Sequence, residues 1–178
     1  KQIEIDMSTS HTEIVDVPSF WTKGLVRNVD TSTDYYKIQD AIDNASAEDT
    51  LHIWAWTYYE NVEIDKELTI IGNGTTNTTV NGSFVDFTIT IYFTDEVSLR
   101  GLNIEAGGNS TLSLCGIRIL RSSYADINDV LVNKGHNGIC VDGGTHNKIS
   151  SSLIKDNIGA GISLREDGGV TADYTTIE

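Results

Sequence analysis

Three stretches of this 178-residue chain repeat one pattern: Cys115-Gly116-Ile117-Arg118-Ile119, Asn137-Gly138-Ile139-Cys140-Val141 and Ala160-Gly161-Ile162-Ser163-Leu164. Their glycines lie 22 and 23 residues apart. A second column, Ile127 and Ile149, keeps the 22-residue spacing, and a third runs through Val132, Ile154 and Ile177. Ile89 and Ile91 align with Ile117 and Ile119 at a spacing of 28, so about six inserted residues must leave that coil as a loop. Within each unit the apolar residues fall two apart, which is the strand period. Leu99, Leu102 and Ile104 begin another such unit. Clusters of Gly, Asn, Asp and Ser between them are turn chemistry.

One such unit cannot bury its own apolar face. Stacked units can, because equivalent residues of successive coils then sit about 4.8 Å apart. The period and the short strands predict an all-β chain, a right-handed parallel β-helix. The fixed Leu and Asn pattern of a leucine-rich repeat is absent, and a β-sandwich has no 22-residue register. Ile117, Ile139 and Ile162 are expected to face inward as one stack, with Ile119, Val141 and Leu164 beside it.

The N-terminal part reads differently. Ile38, Ala41, Ile42 and Ala45 follow helical spacing, and Ser32, Thr33 and Asp34 offer N-caps. A short helix there is expected to cap the open end of the first coil, which starts at Asp49-Thr50-Leu51-His52-Ile53-Trp54-Ala55. Residues 1–23 read as an N-terminal extension or linker, with strand-like pairs Ile3/Ile5 and Val15/Val17 and anchors Phe20 and Trp21. Residues 24–49 form the first strand and capping helix. Residues 50–178 form the coils, which are expected to continue or stack beyond an uncapped C-terminal end.

Tyr36 to Ala45, Asp49 to Ala55, Tyr58-Tyr59-Glu60-Asn61-Val62 and Leu68-Thr69-Ile70-Ile71-Gly72 resemble the start of parallel β-helix proteins of the pectin-lyase-like superfamily. The likeness is strongest to its archaeal and bacterial surface proteins and covers roughly residues 25–178. Where relatives tend to carry Gly in an Ala-Gly-Thr-Tyr turn, this chain has Trp56. The resemblance implies the fold. It does not fix an activity, because that superfamily includes polysaccharide lyases, glycoside hydrolases, epimerases, adhesins and non-enzymatic scaffolds.

Composition narrows the partners. With 26 Asp and Glu against 12 Lys and Arg, the formal net charge is −14. Such a chain repels phosphate backbones, so nucleic acid is not an expected partner. No apolar run approaches the ~20 residues of a membrane span, so membrane insertion is not expected. Five glycosylation sequons, at Asn44, Asn73, Asn77, Asn81 and Asn109, fit a secreted or cell-surface glycoprotein. Two cysteines are too few for a disulfide framework. Strand alternation puts Cys115 inward and Cys140 outward, three residues out of register, so no bond between them is expected.

Two outward sets could carry function. If Leu51, Ile53 and Ala55 point inward, His52, Trp54 and Trp56 point outward, with Tyr58 and Tyr59 following at the turn. Such aromatic faces stack on the apolar C–H faces of sugars. The alternative is that residues 1–23 cover them. The second set is a pair of columns, Thr90, Arg118, Cys140, Ser163 and Tyr92, Leu120, Asp142, Arg165. The resemblance implies that pectate-lyase-type enzymes use such a face, with Ca²⁺ on several carboxylates and an Arg as base. Asp142 alone is too few for Ca²⁺, which takes six to eight oxygens, and it reads as a cross-strand ion pair with Arg165.

A metal set of His136, Cys140, Asp142 and His146 fails on spacing, since the two histidines lie on opposite sides of one strand. Paired glycosidase carboxylates are absent, and Gly135-His136-Asn137-Gly138 only faintly echoes a Gly-His-Gly turn. No metal or cofactor is therefore expected. The leading reading is a non-catalytic extracellular or surface module that presents a rigid face to glycans or neighbouring proteins. On this reading it self-associates through the C-terminal coil or residues 1–23 and shows no lyase activity. The alternative is a fragment of a polysaccharide lyase or glycoside hydrolase.

Overall fold

β-Branched residues at alternate positions fit a pleated surface and pack well on their own kind in the next strand. The chain uses this to wind parallel sheets. The computed structural model describes residues 25–82, 86–106, 114–173 and 175–178. The first face stacks Val62–Ile64, Ile89–Tyr92, Cys115–Leu120, Asn137–Asp142 and Ile162–Arg165, in that order. The second stacks Thr50–Ile53, Thr69–Gly72, the start of Ser98–Glu105, the start of Asp126–Asn133, Lys148–Ser150 and Thr176–Ile177. The third stacks Trp56–Tyr59, Thr78–Asn81, the ends of those two long strands, and Leu153–Ile154. The result is a parallel β-solenoid.

Four inward columns make its core. On the first face they are Val62, Ile89, Ile117, Ile139, Ile162 and Ile64, Ile91, Ile119, Val141, Leu164. On the second, Leu51, Ile70, Leu99, Ile127 and Ile149 align, and on the third Tyr58, Val80, Ile104, Val132 and Ile154. Ile117, Ile119, Ile127, Ile139 and Val141 are fully buried. Each such side chain contributes roughly 1.5–3 kcal/mol from removal of apolar surface from water.

Corners repeat as faithfully as columns. Phe93, Arg121 and Gly143 occupy one corner in successive coils, and Glu96, Tyr124 and His146 another, all at positive φ. A left-handed residue at each of these corners swings the chain from one sheet to the next.

Three expectations change on contact with the structure. Ile177 pairs with Ile149, not with Ile154. The coil between them spans 28 residues, because it contains a hairpin in which Asp167 and Val170 bond to each other across Gly168-Gly169. Leu164 keeps its register with Val141 but is half exposed, since it lies on the last strand of its sheet. Ile162 beside it is only partly buried.

The helix spans Ile38–Asp43 and buries Ile38, Ala41 and Ile42 against the first coil. Its cap is not Ser32, Thr33 or Asp34. Thr33–Tyr35 is a strand paired antiparallel with Val26–Asn28, and Asp34 bonds Arg27 at 3.0 Å. The orphan N–H groups of Ile38 and Gln39 instead donate to the Glu60 carboxylate at 3.0 and 3.1 Å. A carboxylate from the next turn of chain thus does the work of a local cap. Glu60→Ala should cost about 1 kcal/mol, the ordinary worth of a cap, in urea denaturation; an unchanged midpoint would contradict this role.

Candidate functional site

Outward positions of the first face collect the charged groups. Register pairs Arg118 with Thr90 and Cys140, and Asp142 with Leu120 and Arg165, so both outward columns stand as the spacing predicts. The Asp142 carboxylate is 4% exposed and lies between two guanidinium groups. Arg118 Nε donates to Oδ2 at 2.6 Å. Arg165 Nε donates to Oδ1 at 2.6 Å and its Nη2 to Oδ2 at 3.1 Å. Charge-assisted bonds of this kind fix both arginine side chains.

Arg118, Asp142 and Arg165 line an open cleft of 240 Å³ together with Phe87, Glu166 and Asp167. The Arg118 guanidinium lies 4.8 Å from the centre of the Phe87 ring. Glu166 and Asp167 come from the inserted hairpin. Arg121 holds that hairpin from two coils away, its Nε 2.6 Å from Asp167 Oδ2. Lining and rim together carry three arginines against three carboxylates, so the cleft is balanced on a chain whose net charge is −14. Each guanidinium has five donors, and Asp142 takes one from Arg118 and two from Arg165. The arrangement can present N–H donors to an anionic oxygen and an aromatic ring to an apolar one.

Beneath the cleft lies a disulfide between Cys115 and Cys140, with Cα atoms 6.0 Å apart. This reverses the expectation that the two cysteines stay apart. Strict alternation fails at Gly116. A Cβ there would run inward into Val132, while Ile117 next to it is also in the core. Two consecutive inward positions return Cys115 to the outer side, where its sulfur lies 3.9 Å from Arg165 Nη2. Glycine makes the step possible, because no side chain has to occupy the crowded inner position. With Cys140 in the disulfide and Asp142 between two arginines, the set of His136, Cys140, Asp142 and His146 loses its two central members.

The aromatic candidates divide between exposed and buried positions. His52 and Trp54 sit together, ring centroids 4.7 Å apart. The chain bends after Trp54, so Ala55 is exposed instead of inward, and Trp56 starts a strand on the third face. Trp54, Trp56 and Tyr59 are exposed. Tyr58 is corrected: it belongs to the core, and its hydroxyl donates to the Leu25 and Trp54 carbonyls at 2.9 and 3.1 Å. Burial, and then the Glu60 charge, push its phenol well above the ordinary range. Residues 1–23, proposed as a cover for this stripe, lie outside the described residues.

Asn44, Asn73 and Asn77 are exposed, whereas Asn81 is half-buried and donates to Glu105 at 2.9 Å. Asn109 lies outside the described residues. Phe87, Arg121, Glu166 and Asp167 went unnoticed in the sequence. The Gly168-Gly169 pair was the available signal, since such a dipeptide marks a turn inside what would otherwise be a strand.

No family model and no curated protein matches the sequence. Among solved structures, the chain is similar to the crystal structure of an alginate lyase from Paenibacillus sp. str. FPU-7. The TM-score is 0.63 at 18% identity, over 79% of this chain and 55% of that one. The present chain thus spans about half the length of that neighbour. At this identity the likeness supports the solenoid fold.

Proposed function

We propose that this chain is the carbohydrate-engaging part of a secreted polysaccharide-lyase-type β-helix protein of the pectin-lyase-like kind, and that the first-face cleft receives a uronic-acid-containing chain. The observation that carries this reading is the convergence of Arg118 and Arg165 on one open cleft beside Phe87. A uronate offers a carboxylate for the guanidinium groups and an apolar ring face for the aromatic. The alginate-lyase neighbour shifts weight from the non-catalytic module to this alternative. A disulfide and several exposed sequons suit an oxidising, extracellular setting.

In an elimination on such a substrate, a base removes the C5 proton, the C5–H electron pair forms a C4=C5 double bond, and the C4–O pair leaves on the departing sugar's oxygen, which takes a proton from water. Charge develops on the uronate carboxylate as the proton leaves. Guanidinium N–H groups that Asp142 does not occupy can be offered to that carboxylate and stabilise this state, which is the role assigned to Arg118 and Arg165. One observation favours binding without turnover: Asp142 already engages both guanidinium groups.

The test is incubation with alginate and with polygalacturonate, followed by ultraviolet absorbance of unsaturated ends and by affinity electrophoresis. Wild type should be retarded by polyuronate and generate unsaturated ends. Arg165→Ala should reduce both at least tenfold. Retardation without unsaturated ends would leave a non-catalytic uronate-binding module standing, and neither signal would remove the uronate cleft.

A further inference from the structure

Tyr92 and Phe93 are adjacent large aromatic side chains left part-exposed at one corner of the solenoid. They are 41% and 52% exposed, and their rings meet edge to face with centroids 4.7 Å apart. Phe93 occupies the corner filled by Arg121 and Gly143 in the next two coils, at a φ of 51°. The corner therefore does not require an aromatic, and a bulky residue is uncommon in that conformation. The pair is continuous with the cleft. Arg121 lies 5.4 Å from the Phe93 ring centre and reaches Asp167, a lining residue, at 2.6 Å. Tyr92 heads the outward column that continues through Leu120 to Asp142 and Arg165.

We infer that Tyr92 and Phe93 form a second subsite, which stacks on a sugar ring of the same polysaccharide chain further along from the uronate held by Arg118 and Arg165. The inference rests on the proposed cleft function. Its own basis is the exposed aromatic pair and its contact with the cleft rim. Aromatic rings match the C–H faces of pyranosides, and Arg121 over Phe93 fixes the platform's edge. A subsite displaced from the charged cleft is reached only by a ligand long enough to span both.

The experiment is calorimetric binding of purified oligouronates from the dimer to the octamer. Three proteins are compared with wild type: Phe93→Ala, Phe93→Asn and Arg165→Ala. Asparagine tolerates the left-handed corner, so Phe93→Asn should fold even if the alanine variant does not. In wild type, affinity should rise with length. Both Phe93 variants should lose about five- to tenfold for the long oligomers, in line with one stacking contact, and nothing for the dimer. Arg165→Ala should weaken every length. If wild type binds long oligomers and the folded Phe93 variants bind every length as tightly as wild type does, the aromatic subsite is overturned while the cleft stands. If wild type binds no oligouronate, the cleft reading falls and this inference falls with it.

Discussion

Ile139→Asp should abolish cooperative folding. Ile139 is fully buried and stacked between Ile117 and Ile162. Truncation of such a side chain alone costs about 2–5 kcal/mol. Burial of an unpaired carboxylate adds several kcal/mol more, against a total stability of roughly 5–15 kcal/mol for a domain. The effect should propagate, because each coil is supported chiefly by its two neighbours. Circular dichroism should show loss of the strand signal for Ile139→Asp. Ile139→Val should stay folded and lose only about 0.5–1.5 kcal/mol. A native-like unfolding curve for the aspartate variant would contradict the column register.

The second large effect concerns the disulfide. It closes a loop of 25 residues, for which the chain-entropy argument gives about 3.5 kcal/mol of stabilisation. The double variant Cys115→Ser, Cys140→Ser should lose about that amount in chemical denaturation. A reductant should destabilise wild type similarly and leave the double variant unchanged. Two titratable thiols in the native protein, or no response to reductant, would contradict the pairing. The bond joins adjacent coils directly behind Arg118 and Arg165, so its loss should also weaken polyuronate binding.

The sequence made some features readable and hid others, for physical reasons. The Gly-Ile-x-apolar repeats revealed the columns because stacking demands the same residue type at the same phase in every coil. Ile89 could be aligned with Ile117 across a 28-residue coil, since both flanking pairs matched. The same logic failed at Ile177, where a 23-residue step from Ile154 was carried through an unrecognised hairpin. Long-range capping was also hidden: the role of Glu60 at the helix N-terminus arises from solenoid winding, and local N-cap rules look only a few residues away. Alternation misled at Cys115 because one glycine step, Gly116 to Ile117, turns two consecutive positions inward. Asp142 and Arg165 were legible as a cross-strand pair, whereas the Arg118 contact to Asp142 crosses between columns and was not. The cleft around them was not, because part of its wall comes from the hairpin at Glu166 and Asp167.

On the proposed function, the first-face cleft holds a uronate. The most direct measurement is a crystal structure of the chain soaked with a short oligouronate. A sugar carboxylate is expected within hydrogen-bond distance of the Arg118 or Arg165 guanidinium, with Phe87 beside the ring. A saccharide bound instead at His52, Trp54, Trp56 and Tyr59, with the cleft empty, would contradict it.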